Sequence, residues 1–261
     1  MKERYNMNDD SVMMATVVST SNRNEAWSKL QSFFLDRSMG VKLTKHVVLN
    51  EANEEPWVEK GYNVIASFKN NKGHAEGIKP IIEAFKASDY KWLLLLDSDA
   101  FPFRADWFAV CKRMMEMKNR IASSAVRFEN FDVFPHPCVF LASKEFFDSD
   151  ASFDPKTTTN LLGKEVSDVG TGLVRFMHKI IPLIRTNKVN YHPLLGAVYG
   201  HMFYHHGAGS RFPKMTRLAV SGMCDHYMRM EDHGDVEGRM LKKLIESPST
   251  YLDVLVNGIS L

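Results

Sequence analysis

Cysteine is scarce. Only three occur in 261 residues (Cys111, Cys138 and Cys224), widely spaced and with no CxxC pair. That spacing excludes a disulfide scaffold and a zinc ribbon and fits a reducing compartment. An excess of one charge is missing too, with 33 Lys+Arg against 31 Asp+Glu for a formal net charge of +2. A dedicated nucleic-acid binder carries a basic excess or stripe, so no nucleic-acid partner is expected. Long hydrophobic runs are also absent. No uninterrupted apolar stretch is longer than Trp92–Leu96, far short of the ~20 residues of a membrane span. The opening twelve residues are polar and charged, unlike a secretory leader, so the expected setting is soluble and cytoplasmic. There is no internal repeat, low-complexity stretch or Pro/Gly/Ser linker, which leaves a single domain over 1–261 as the simplest organisation. What the chain does have is 44% apolar residues with 17 Phe, 15 Met and 4 Trp, enough for a packed core.

The apolar pattern alternates between strand and helix. Val12–Thr20 reads as a buried strand running into the polar turn Ser19–Arg23. Trp27, Leu30 and Phe34 then recur at helical spacing from Asn24, with Gly40 as a C-terminal stop. Lys45–Asn50 and Tyr62–Phe68 read as strands. Ile78, Ile81, Ile82 and Phe85 make one helix face, on which Pro80 is tolerated only in the first turn. Lys91–Asp97 (KWLLLLD) is apolar throughout, as befits a central strand covered on both sides. A helix over about 105–118 and a strand over about 121–127 continue the alternation. The second half is less regular. It shows a strand near Val139–Ala142, an Asp/Thr-rich loop over Asp148–Asn160, and a helix from about Asp168 to Lys179. A strand over Ala197–His205 and a polar helix near Val236–Glu246 follow. Such alternation predicts an α/β fold with a mostly parallel central sheet and helices on both faces. In such sheets chemistry gathers at the carboxyl ends of the strands.

Four constellations stand at those ends. Asp97-Ser98-Asp99 closes the LLLL strand, and carboxylates at i and i+2 of an extended chain share a side, able to hold a hard divalent cation. The bland alternative is a turn with one Asp capping a helix. Asn70–Ala75, with Gly73 and His74, is a glycine turn into a helix start, suited to an anion through backbone N–H groups, or else an ordinary connection. Seven of the ten histidines lie between His178 and His233. Read as one strand, Tyr199–His206 puts His201 and His205 on one face and His206 on the other, followed by a small-residue turn ending in Arg211. In that reading His205 is a candidate metal ligand and Arg211 a grip on a diphosphate. His201 is read as a satisfied, partly buried imidazole, and His226 and His233 as solvated. Asp168, in Val166–Gly172 (VSDVGTG), is either a helix N-cap or a general base.

Taken in order, Ser19–Arg23, Glu51, the GHAEG turn, LLLLDSDAFP, DVGTG and HHGAGSR resemble a glycosyltransferase of the GT-A fold, nearest the nucleotide-sugar-dependent family 2 type, over residues 12–211. The resemblance implies a nucleotide-sugar-binding half over about 12–127 and an acceptor-side half over about 128–261. It implies Mn²⁺ or Mg²⁺ on Asp97 and Asp99, with His205 (or adjacent His206) reaching the metal or diphosphate. Thr20, Arg23 and Glu51 would line the nucleotide base and ribose. Asp168 would be the base of an inverting transfer, with Glu165 or Asp132 next in line. The expected donor is a UDP-sugar, and the acceptor a glycan or other hydroxyl. Phe131, Phe134, Tyr199 and Tyr204 are aromatics that could stack on sugar faces, although core packing claims most such residues. Two other readings stay open. A sugar nucleotidyltransferase would want a Gly-rich loop after the first strand, where STSNRNEA has none. A non-catalytic carbohydrate-binding module would have lost its site, yet DSD and HHGAGSR are intact. A metallohydrolase lacks HxH or HExxH spacing.

Overall fold

A computed structural model describes residues 10–20, 24–187, 196–207 and 246–247. The elements in chain order are β1 (Ser11–Ser19), α1 (Asn24–Leu35), β2 (Lys42–Asn50), α2 (Glu55–Val58), β3 (Asn63–Phe68), α3 (His74–Ala87), β4 (Trp92–Asp97) and β5 (Ala100–Pro102). They continue with α4 (Trp107–Met117), β6 (Ala122–Val126), β7 (Pro135–Ser143), β8 (Thr158–Thr159), β9 (Glu165–Val166), β10 (Ile180–Leu183), β11 (Ala197–Tyr199) and β12 (Phe203–His205).

Seven strands form the main sheet in the order β10-β6-β7-β4-β1-β2-β3. All neighbours pair in parallel except β7, which runs antiparallel to both β4 and β6. The mostly parallel sheet read from the sequence is therefore present, with one reversed strand. Its consequence is spatial: the carboxyl ends of β1, β2, β4 and β6 share a rim with the amino end of β7.

Apolar side chains cover both faces. Trp27, Leu30 and Phe34 of α1 and Trp107, Phe108 and Met115 of α4 pack on one face with Leu94 and Leu96. Ile78, Ile81 and Phe85 of α3 pack on the other with Leu93 and Leu95. This is why β4 is apolar at every position: alternate residues point to opposite faces, and both are dry. Helix α3 lies so close to β1 that a Cβ on Gly77 would sit 2.4 Å from Val17 Cγ1.

Several expectations are corrected. Pro80 lies inside α3, beyond its first turn. An interior proline costs about 3 kcal/mol, but burial of Ile78, Ile81 and Phe85 returns about 1.5–3 kcal/mol per side chain, so the helix runs through it. Helix α1 ends at Leu35, before Gly40. The segment 197–205 is a hairpin, β11 against β12, because Gly200 and His201 take positive φ (59° and 56°) and reverse the chain. His201 is thus an exposed turn residue and shares no strand face with His205. The helix expected from Asp168 is a 3-10 helix over Thr171–Lys179 with Gly170 at its N-cap. Arg23, Arg211, Cys224, His226, His233 and nearly all of the helix expected near Val236–Glu246 lie outside the described residues.

Candidate active site

The DSD turn is held from below. Gln31, wholly buried on α1, donates its Nε2 hydrogens to the carbonyls of Asp97 (2.9 Å) and Ala100 (2.7 Å). Its Oε1 accepts from Tyr62 Oη at 2.9 Å. From the other side β12 pairs antiparallel with β5, placing His205 opposite Ala100, and the His206 N–H donates to the Asp99 carbonyl at 3.0 Å. The hairpin therefore delivers His205 to the two aspartates, from more than a hundred residues away in the chain.

His205 Nε2 stands 3.3 Å from Asp97 Oδ2 and 3.5 Å from Asp99 Oδ1. His74 Nε2, from the first turn of α3, stands 3.5 Å from Asp97 Oδ1. Ser98, Asp99 and His205 are buried, and Asp97 is partly open. Burial alone would raise both carboxyls. The charge of His74 and the hydrogen bond and charge of His205 outweigh it at Asp97, and those of His205 outweigh it at Asp99, so both are held below the usual carboxylate range. His205 moves the opposite way. Burial disfavours its proton, but the charge of Asp99 and the hydrogen bonds to both carboxylates raise it well above an ordinary histidine. Its imidazolium thus supplies the positive charge that two buried carboxylates require.

A divalent cation fits this set. One donor atom each from Asp97, Asp99 and His205 lies within 4.8 Å of the other two. Two oxygens and an imidazole nitrogen suit Mn²⁺ or Mg²⁺, and adjacent ligands on one such ion lie roughly 3 Å apart. Asp97 Oδ1 and His205 Nδ1 are buried without a hydrogen bond. His206 is committed elsewhere: its Nδ1 bonds Tyr204 Oη at 2.8 Å and its ring lies 4.8 Å from that of Trp27. Of the two adjacent histidines, His205 is the one at the carboxylates.

The other anticipated residues gather in part. Thr20 and Glu51 meet at the ends of β1 and β2, where the Thr20 hydroxyl donates to the Glu51 carbonyl. Gly73 caps α3 at φ 86°. Its N–H bonds Asn71 Oδ1 (2.8 Å) and that of Lys72 bonds Asn50 Oδ1 (2.8 Å). Those two N–H groups are engaged within the turn, and the turn delivers His74 to Asp97.

Asp168 belongs to a second cluster. Its Oδ2 accepts from Arg127 Nη2 at 3.2 Å and its Oδ1 from the Val169 N–H at 2.7 Å, with half of the side chain exposed. It caps no helix. Gly170 explains the loop's sequence: at φ +101° a Cβ there would lie 2.0 Å from the Pro135 carbonyl oxygen, so only glycine lets the loop lean on the start of β7. Arg127, just past β6, also donates Nε to Asp132 Oδ2 at 3.0 Å. Asp132 further meets Asn130 (3.1 Å) and His136 (3.3 Å). Burial would raise Asp132, but His136, Arg127 and Asn130 bring it down. Burial, then the Arg127 charge, lowers His136 to about 4, leaving it neutral. Glu129 accepts from Tyr199 Oη at 3.0 Å, and burial lifts its carboxyl. Sequence reasoning missed Gln31, Arg127, Glu129 and His136. Of the four aromatics, Phe134, Tyr199 and Tyr204 are core, and Phe131 is exposed.

No family model matches the sequence, and no curated protein matches it. Solved structures do. A mannosyltransferase from Pyrobaculum calidifontis, in complex with GDP-Man and Mn²⁺, is 13% identical at a TM-score of 0.40, over 54% of this chain and 47% of that one. TarS from S. aureus is 10% identical at 0.44, over 90% and 43%. Glucosyl-3-phosphoglycerate synthase from Mycobacterium tuberculosis, in complex with Mn²⁺ and UDP-glucose, is 11% identical at 0.43, over 67% and 69%. The chain spans less than half the length of the first two. Likeness at this level carries no residue role or chemistry to this chain.

Proposed function

We propose that the chain is a metal-dependent glycosyltransferase of the GT-A type, moving a sugar from a nucleotide-diphosphate donor, a UDP-sugar, to a hydroxyl acceptor with inversion. The observation that carries this reading is the Asp97–Asp99–His205 set at the carboxyl edge of a mostly parallel sheet. Thr20 and Glu51, with Arg23, are assigned to the base and ribose; Gly73, His74 and Ser98 to the donor side of the cation; Arg211 to the diphosphate.

Asp97, Asp99 and His205 would hold Mn²⁺ or Mg²⁺, which when bound neutralises charge on the departing diphosphate. Asp168 is assigned as general base. Its carboxylate takes the acceptor hydroxyl proton while that oxygen forms a bond to the anomeric carbon and the bond to the diphosphate breaks. Arg127 holds Asp168 through one oxygen, leaving lone pairs on a half-exposed group. Asp132 and Glu165 suit the base role less well: Asp132 is buried among three partners, and Glu165 is an exposed residue of the β8–β9 ribbon.

The test is calorimetric titration of the chain with UDP, with and without Mn²⁺. Wild type should bind UDP more tightly with Mn²⁺, and Asp99→Ala should lose that gain while keeping its fold. An Asp99→Ala variant with undiminished Mn²⁺-dependent affinity refutes the reading.

A further inference from the structure

Ten large apolar side chains are exposed among the described residues, and four of them, Phe128, Phe131, Leu161 and Leu162, sit on two segments bonded to each other. The Leu161 N–H donates to the Phe131 carbonyl at 3.0 Å, and the Phe131 N–H to the Phe128 carbonyl at 3.0 Å. Both segments run into the Arg127–Asp168 pair. Phe128 follows Arg127, and the β8–β9 ribbon, whose tip carries Leu161 and Leu162, leads through Ser167 to Asp168. Scattered singly, exposed apolar residues need no explanation; these four gather beside one polar cluster. The ribbon's tip is fixed, because Asn160 Oδ1 accepts from the Leu162 and Lys164 N–H groups at 3.0 Å each. Phe131 is also strained. It holds φ 60° and ψ 17°, the left-handed region that suits glycine or asparagine. Its ring is 44% exposed, so core burial offsets little of that strain. Residues held this way cluster at ligand sites.

We propose that this patch receives an apolar aglycone of the acceptor. The hydroxyl compound is then an amphiphile, whose hydrocarbon group lies on Phe128, Phe131, Leu161 and Leu162 while its hydroxyl reaches Asp168. The inference rests on reading Asp168 and the cation site as a glycosyltransferase centre. Aromatic rings alone would also suit a sugar face, but two leucines beside them favour a hydrocarbon. A wholly polar acceptor would leave all four side chains in water.

The experiment titrates the full chain with butyl and octyl β-D-glucoside by ligand-observed NMR, below the concentration at which the octyl compound forms micelles. A methylene lying on an open apolar face tightens binding roughly twofold, so octyl glucoside should bind about tenfold more tightly than butyl glucoside. Phe131→Gly and Leu162→Ser should each remove most of that difference. Met117→Ser, an exposed residue of α4 beside the start of β10, should keep it. Glycine relieves the strain at 131, so Phe131→Gly should melt no lower than wild type; a lower Tm shows a ring needed by the core and overturns the proposal. Added Mn²⁺ should broaden the glucose protons of bound octyl glucoside more than its terminal methyl. Equal octyl and butyl affinities, a preference untouched by either patch variant, or a methyl broadened most overturns the proposal. So does a dimer in sedimentation velocity that Leu162→Ser splits, since a second copy then covers the patch. UDP titration with and without Mn²⁺ runs in parallel. If Mn²⁺ leaves UDP affinity unchanged, the glycosyltransferase reading fails and the inference with it; a retained Mn²⁺ effect with no octyl preference overturns the inference alone.

Discussion

Replacing Arg127 by methionine takes one partner out of a buried ion pair and leaves the other in place. The Arg127 side chain is 14% exposed and that of Asp132 5%. Removing one member of such a pair costs about 3–5 kcal/mol, because the remaining charge stays desolvated. Asp132 would keep Asn130 at 3.1 Å and His136 at 3.3 Å, which places the loss near the lower end, about 3 kcal/mol. Asp168 is half in water, so losing its contact adds at most a few tenths of a kcal/mol. Methionine fills much of the arginine stem and limits any cavity. For a domain of this size the loss corresponds to roughly 6–12 °C in Tm. Urea unfolding followed by far-UV circular dichroism measures it directly. The decisive comparison is the double variant R127M/D132N, which leaves neither buried charge and should recover about 2 kcal/mol relative to R127M. A loss below about 1 kcal/mol for R127M, or a double variant no more stable than the single one, refutes the account of a desolvated pair.

Two further outcomes follow from the same cluster. His136 is held down to about 4, first by burial and then by the Arg127 charge. The unfolded chain therefore takes up that proton first, and the stability is complete above about pH 6.5 and declines as pH falls toward 4, by on the order of 3 kcal/mol. Urea unfolding at pH 7, 6 and 5 should show that decline in wild type and its removal in H136Q; an identical pH dependence in both rejects the assignment. For the base, Asp168→Asn should cut turnover by ~10²–10⁴-fold while UDP binding persists, since asparagine can still accept from Arg127. Near wild-type turnover would move the base elsewhere, with Glu129 the next carboxylate to change.

The parts of the site legible in the sequence are those whose signal is local. Asp97 and Asp99 follow an apolar strand, and His74 follows a glycine at a helix start; the structure brings both together at the rim. His205 was recognisable beside its small-residue turn, but the strand drawn through it was too long. Gly200 inside the run was the usable sign of a break, and with His201 it makes the reversal that turns one strand into two. Gln31 had no signal. A glutamine on an amphipathic helix reads as solvent-facing, and its burial follows from two carbonyls that only the folded DSD turn presents. Pro80 is illegible for a related reason: a local backbone penalty carries no sign of the core burial of Ile78, Ile81 and Phe85 that outweighs it.

Arg127 and His136 were hidden by direction. An apolar run such as CVFLA fits a parallel or an antiparallel strand equally well, and which end reaches the active rim depends on that choice. Because β7 runs against β4 and β6, its amino end, carrying His136 and Cys138, comes to the rim; a parallel strand would have brought Ser143 there instead. The reversal also has an electrostatic effect. Asp97 and Asp99 lie on one side, and Asp132 and Asp168 on the other around Arg127. His136 contacts Asp132 and is itself neutral at pH 7. Cys138, whose thiol burial keeps protonated, is likewise uncharged. Two neutral side chains at the start of one reversed strand thus stand between two carboxylate clusters, each balanced by its own cation: His205 in one and Arg127 in the other.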